Sequence, residues 1–334
     1  SAFTATADAA TREDIAGKLF DGRGEIVVHG FDRPNLHLAV EPKTDWRRQL
    51  SDFVGERKGQ SGIVYCLSRR LTEEVSEFLS GKGCRALPYH AGLAPEIRRD
   101  NQEIFMAEDG VIMVATIAFG MGIDKPDIRY VFHLNLPGSM EAYYQEIGRA
   151  GRDGLPADTL TLYGVDDIRL RRRQIDESEA PEERKRVDRQ RLNALVALCE
   201  APRCRRQTLL AYFGETETEP CGNCDLCLDG VETVDGTVDA QKALSAILRT
   251  GQRFGMEHLI SLLRGEQTDK ITRFGHDKLP TFGVGADRTK NQWRGIFRQL
   301  YALGIANFDP ADTGAWTVGP HGRAALKGEE EVRL

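Results

Sequence analysis

Six short apolar, β-branched runs recur between residues 26 and 164, at 26–29, 62–66, 85–89, 111–116, 130–134 and 159–163. Between most of them lie segments with helical spacing. Leu71, Val75, Phe78 and Leu79 form one; Ile97, Ile104 and Phe105 form another, opened by Pro95, whose ring is preset for a first helical turn. Strands alternating with helices at this spacing specify a doubly wound α/β domain, a parallel sheet with helices on both faces. Ligands of such sheets gather at the carboxyl ends of the strands. That rule places 66–70, 89–93 and 116–124 on the working edge.

The rest of the chain reads differently. Residues 165–213 carry helical patterning, with Leu192, Leu195, Val196, Leu198 and Cys199 on one apolar face. Residues 215–235 hold seven acids and no Lys or Arg, the signature of a loop or linker. From Asp239 a second helical unit begins, with apolar faces at Ala243, Leu244, Ile247 and Leu248, at His258, Leu259, Leu262 and Leu263, and at Trp293, Ile296, Phe297, Leu300 and Tyr301. A β ribbon follows at 305–308 and 315–318 around a turn at 309–314. Three helices and a hairpin describe an α+β winged helix.

With 334 residues the chain suits two or three domains. No apolar run approaches the roughly 18 residues of a membrane helix, so no membrane partner is expected. The net charge of −6 argues globally against a nucleic-acid partner. Locally the balance reverses, because residues 169–206 hold 12 basic and 7 acidic side chains. Such a stretch can meet phosphates or simply be a solvated helix face.

Three motifs carry chemistry. The first is Cys204, Cys221, Cys224 and Cys227, four of seven cysteines. Tight spacing with Gly222 and Asn223 in the turn suits four thiolates around one structural, tetrahedral Zn²⁺; free thiols or a redox pair are the alternative. The reduced state fits a cytoplasmic location. The second is Gln145-Glu146-Ile147-Gly148-Arg149-Ala150-Gly151-Arg152-Asp153-Gly154, where two arginines three apart share a helix face. A guanidinium there can stabilise a phosphoryl transition state, or simply salt-bridge a helix end. The third is Ala115-Thr116-Ile117-Ala118-Phe119-Gly120-Met121-Gly122-Ile123-Asp124-Lys125-Pro126. Its glycines allow close backbone approach to a ligand.

In combination these phrases resemble the RecQ family of superfamily 2 DNA helicases. The arginine phrase resembles helicase motif VI and the Thr116–Pro126 stretch motif V. Tyr65-Cys66-Leu67-Ser68-Arg69 is similar to motif IV, with Tyr89-His90-Ala91-Gly92-Leu93 as the phrase after it. Phe31-Asp32-Arg33-Pro34-Asn35 resembles the family's entry into its second motor domain, and the cysteines resemble its zinc module.

The resemblance implies an ATP-dependent 3′-to-5′ translocase that unwinds duplexes in repair and recombination. It implies a RecA-like α/β domain (26–165) after a remnant of a first one (1–25). A helical zinc-binding module (166–235) and a winged helix (236–334) would follow. Arg152 becomes the arginine finger, Arg149 its support and Gln145 the link between nucleotide and DNA. Asp124 and Gly122 would lie beside the nucleotide, though Asp124 suits a local loop hydrogen bond equally well. Ser68, Arg69, His90, Thr116, Arg205 and Arg206 would hold DNA; for His90 a packed loop histidine is the competing reading. ATP and Mg²⁺ are implied cofactors. Implied partners are single-stranded and duplex DNA and a single-strand-binding protein, for a monomer associated with a bacterial nucleoid. No Gly-x4-Gly-Lys-Ser/Thr loop occurs in the chain, so the polypeptide alone is expected to lack ATPase activity, as part of a longer enzyme. A non-catalytic zinc-stabilised winged-helix module and an RNA helicase remain open. The wing tip, without a ring at its apex, is expected to contribute modestly.

Overall fold

In the computed structural model, residues 9–21, 26–27, 30–120, 123–215, 219–230, 232–308 and 315–334 are described. They form two compact units, one extending to Arg172 and including Leu210–Leu228, the other comprising Arg173–Leu209 and Asp229–Leu334. The opening phrase 1–8, Gly122 and the wing tip 309–314 lie outside the described residues. Among those described, no helix is long and apolar enough to cross a membrane.

The first unit begins with α1 (Ala9–Phe20) and then alternates: β1 (Leu36–Pro42), α2 (Trp46–Gly55), β2 (Gly62–Tyr65), α3 (Arg69–Gly81), β3 (Arg85–Tyr89), α4 (Pro95–Ala107), β4 (Val111–Ala115), β5 (Tyr130–His133), α5 (Met140–Ile147) and β6 (Ala157–Tyr163). The six strands form one wholly parallel sheet in the order β1-β6-β5-β2-β4-β3. The central strands β2, β4 and β5 are buried on every residue, as a sheet covered on both faces requires.

Two details differ from the sequence expectation. No strand forms at 26–27, where Ile26 and Val27 are exposed. The edge strand is β1 instead, whose Leu36, Leu38 and Val40 are buried with His37 and Ala39 between them, a period of two. The connection 116–129 also does not stay on the working edge. It leaves the carboxyl end of β4 and, with no helix among its described residues, returns to the amino end of the parallel β5. Thr116 therefore lies at the carboxyl edge, and the chain has left that edge behind by Asp124.

Both edges of the sheet are managed. On β3, Pro88 sits where an edge strand tolerates a missing N–H. On β1, the cysteine segment supplies partners: the Val40 N–H donates to Asp225 at 3.0 Å, and Asn223 Nδ2 donates to the carbonyls of Pro34 and Leu36. An exposed strand edge is a template for unwanted pairing, and this segment covers it.

The chain continues through α6 (Val165–Asp176), α7 (Glu182–Cys199), α8 (Arg205–Tyr212) and α9 (Asp225–Leu228). The second unit adds α10 (Thr237–Arg249), α11 (Met256–Leu263), α12 (Asp269–Phe274), a 3₁₀ turn (His276–Lys278), α13 (Lys290–Ala302), the antiparallel pair β7 (Ala306–Phe308) and β8 (Trp316–Val318), and α14 (Gly322–Lys327). Trp293, Phe297, Leu259, Leu244 and Ile247 fill its core. Arg298 forks onto Glu200 at 2.7 Å through two nitrogens, so α13 holds the end of α7.

Candidate nucleotide, nucleic-acid and metal sites

The cysteine sulfurs of residues 204, 221, 224 and 227 all lie within 4.8 Å of one another. Zn–S bonds of about 2.3 Å arranged tetrahedrally place sulfurs roughly 3.8 Å apart; Cys221 and Cys227 stand 4.0 Å apart. None of the seven cysteines is in a disulfide, and four converging sulfurs exceed what a redox pair needs. Gly222 at φ +61° makes the turn, and the Asn223 N–H donates to Cys221 Sγ at 3.3 Å, a bond that favours thiolate. The donor set fits a closed, structural zinc site. Cys66 lies buried elsewhere, its thiol pushed up to about 12 by burial, and is inert.

At the carboxyl edge, Ser68 caps α3 by accepting from the Leu71 N–H at 3.2 Å. Arg69 is exposed and lies over Gly92, where a Cβ would sit 3.0 Å from Arg69 Cδ. His90 is only 2% exposed. Its Nδ1 accepts from the Gly92 N–H and its Nε2 donates to Glu73, so the ring braces its own loop and realises the packed reading. The Thr116 hydroxyl accepts from the Ala118 N–H at 3.4 Å and is half-buried. Phe119 is an anchor, packed between Tyr89 and Phe105 and bonded through its carbonyl to the Tyr65 hydroxyl. Burial holds that phenol above its ordinary pKa.

Both candidate arginines reach the 116–129 connection. Arg149 donates to the Gly120 carbonyl. Arg152 donates to the Ile123 carbonyl at 2.9 Å and pairs with Asp124 at 2.7 Å. Arg152 remains 36% exposed. Asp124 is thus held by Arg152 of the segment after α5. Gln145 lies on the exposed side of α5. Beneath that helix, buried His133 donates to Glu146 at 2.8 Å and accepts from Thr161. Arg129 Nη2 donates to both carboxylate oxygens of Asp153 and holds that carboxyl below the usual carboxylate range.

The basic stretch 169–206 is largely spent on itself. Arg169, Arg184, Lys185 and Arg189 each pair with a nearby acid. Arg205 and Arg206 are 4% and 6% exposed, and the Arg205 guanidinium donates to the carbonyls of Leu198 and Cys199 at the end of α7. The phosphate contacts expected of these two are not offered by this arrangement.

A different cationic surface emerges in the winged helix. There Lys242, Arg264, Arg288, Lys290, Arg294 and Arg298 each hold a carboxylate. Among the described residues, exposed Arg253, Lys270, Arg273 and Lys278 hold none. Arg273 lies 5.8 Å from the ring of Phe274, which is 49% exposed, stacks with His276 and meets Phe254 edge-on, and Lys270 lies 5.4 Å from the Phe254 ring. Sequence reading missed this group because its members are scattered over 253–278 and only the fold assembles them.

The fold and site define a parallel α/β sheet domain with paired arginines, followed by a four-cysteine segment and a winged helix. Comparisons agree: the chain matches the helicase conserved C-terminal domain over 46–154, the RecQ zinc-binding domain over 165–228 and the RQC domain over 230–334. It is 42% identical to the ATP-dependent DNA helicase RecQ of Haemophilus influenzae and 41% identical to that of Pasteurella multocida, in each case over 100% of this chain and 54% and 53% of the relative. The Bacillus subtilis protein of that name is 36% identical over 99% of this chain and 56% of its own. The chain belongs to the RecQ family, and it spans about half the length of these curated relatives.

Proposed function

We propose that this chain is the second motor half, zinc module and winged helix of an ATP-dependent DNA helicase that moves 3′-to-5′ on single strands and unwinds duplexes in repair and recombination. One observation carries the reading: Arg149 and Arg152 sit on the same connection that begins at Thr116 on the carboxyl edge. Groups that would meet nucleotide phosphates thus share a segment with groups that would meet a DNA backbone. In this reading Arg152 exchanges Asp124 for a γ-phosphate, a stronger partner for a forked cation. Release of that loop then shifts Thr116 and, beside it, the grip of Ser68 and Arg69. Gln145 follows the same movement. ATP and Mg²⁺ are held chiefly by a phosphate-loop domain, for which this chain has no sequence, and Asp124 and Gly122 line the nucleotide's near side. Zinc, when bound, fixes the cysteine segment and supplies no reactive position. The protein works as a cytoplasmic, nucleoid-associated monomer alongside a single-strand-binding protein.

The surface around Phe274 is the winged helix's contact with DNA. Unpaired cations meet phosphates and the ring takes an unstacked base, worth about 1–3 kcal/mol. Fluorescence anisotropy of the chain with labelled DNA against salt tests this. Lys270→Ala and Arg273→Ala should each reduce the slope of log affinity on log salt by about 1. An unchanged slope would remove this surface from the reading.

A further inference from the structure

We infer that Arg33 and Asn35 are positioning residues for the arginine loop, and that they set its geometry from the cysteine segment. The inference rests on the reading of Arg149 and Arg152 as nucleotide-phosphate ligands. Helix α5 ends at Ile147, leaving carbonyls without helical partners. The backbone just past that end is held by Arg33: its guanidinium donates to Gly148 O at 3.4 Å, Ala150 O at 3.1 Å and Gly151 O at 2.9 Å. A cation at a helix carboxyl end also complements the helix dipole. Asn35 Nδ2 donates to Gly151 O and Leu155 O, both at 2.9 Å. Ala150 and Gly151 are the residues between the two arginines, so the clamp grips the backbone that aims both side chains. Gly151 adopts φ +58°, and a Cβ there would lie 2.9 Å from Leu155 O and fall on the Asn35 amide.

The clamp's other side is held by the cysteine segment. Asn223, between Cys221 and Cys224, donates to Pro34 O and Leu36 O, bracketing Asn35. The Phe31 N–H donates to Glu215 at 2.6 Å, and its ring stacks on Phe213 with centroids 4.5 Å apart. The Tyr144 hydroxyl of α5 donates to Phe31 O at 2.9 Å. Segment 31–36 is therefore fixed on one face by Phe213, Glu215 and Asn223 and fixes the arginine loop with the other. A displacement of about 1 Å at a catalytic group costs on the order of 10²-fold in rate, which is the scale this clamp controls.

Two measurements test it. In the 334-residue chain, Arg33→Ala should speed amide exchange across 148–155 about tenfold or more while leaving β2 and β4 protected. In a polypeptide joining these residues to a phosphate-loop domain, Arg33→Ala and the milder Asn35→Ala should lower kcat for ATP about 10–100-fold, with KM and DNA affinity changed less than about threefold. Arg33→Lys should not restore kcat, since an ammonium cannot fork across three carbonyls. Added to Arg152→Ala, Arg33→Ala should cost less than about twofold more, because both act through one group. Unchanged exchange, a kcat within about twofold of wild type, or multiplicative losses in the double variant would overturn the inference. Absence of ATPase in the unsubstituted joined protein would instead sink the arginine reading, leaving exchange to decide the clamp.

Discussion

His258 and His276 form a buried pair in the winged helix, Nε2 to Nδ1 at 2.8 Å. One ring must donate and the other accept, so the pair is stable only while one shared proton lies between the two facing nitrogens. His258 stacks on Phe254 at 4.2 Å, with Lys270 above that ring; Arg253 and Asp277 act on His276. Burial, then the neighbouring His276 and Lys270, push His258 from 6.5 down to about 4, and burial with Arg253 lowers His276 as well. The folded state therefore binds fewer protons than the unfolded one. Stability is full above the unfolded value of 6.5 and is lost as pH falls toward 4. A displacement from 6.5 to about 4 at about 1.4 kcal/mol per unit gives His258 a loss of about 3 kcal/mol across that window. The assay is urea unfolding followed by tryptophan fluorescence, since Trp293 and Trp316 both lie in this domain. His258→Gln retains an amide donor for His276 but does not titrate. It should flatten the difference between neutral and acid stability by most of that amount. A wild-type domain whose stability between pH 7 and 4.5 follows the variant's would refute the reasoning.

Three further outcomes follow from the packing. Cys221→Ser should reduce zinc from about one per chain to a small fraction by metal analysis, and speed amide exchange along β1 as its edge cover loosens. Gly120→Ala places a Cβ on the Arg149 guanidinium; in the joined motor it should lower ATP turnover about tenfold or more while DNA affinity holds, and a parallel fall in both would contradict the assignment. Trp293→Ala removes a fully buried ring whose Nε1 donates to Gly285 O at 2.8 Å, and should cost about 3–5 kcal/mol in urea unfolding.

Much of this was legible in the sequence because it rests on local chemistry. The alternation of β-branched and helical segments specified the parallel sheet, and cysteine spacing with Gly222 specified the sulfur cluster. Other features depended on partners distant in the chain. The strand at Leu36, Leu38 and Val40 is hard to read from sequence because its alternation is short and Ala39 is itself apolar. Charge counting favoured Arg205 and Arg206 as DNA ligands; composition cannot show that a guanidinium has turned inward onto the carbonyls of Leu198 and Cys199. His90 is turned inward in the same way, with Glu73 and Gly92 as its partners. Phe31 to Asn35 were visible as a phrase, but their grip on residues 148–155 spans more than a hundred positions.

The central claim is that Arg152 serves a nucleotide phosphate in a DNA-driven motor. The direct measurement is ATP hydrolysis, with and without single-stranded DNA, by a polypeptide joining residues 1–334 to a phosphate-loop domain. DNA-stimulated turnover that falls on the order of 10³-fold in Arg152→Ala, with DNA binding retained, is the predicted result. Turnover indifferent to Arg152, or stimulated by RNA and not by DNA, would contradict the account.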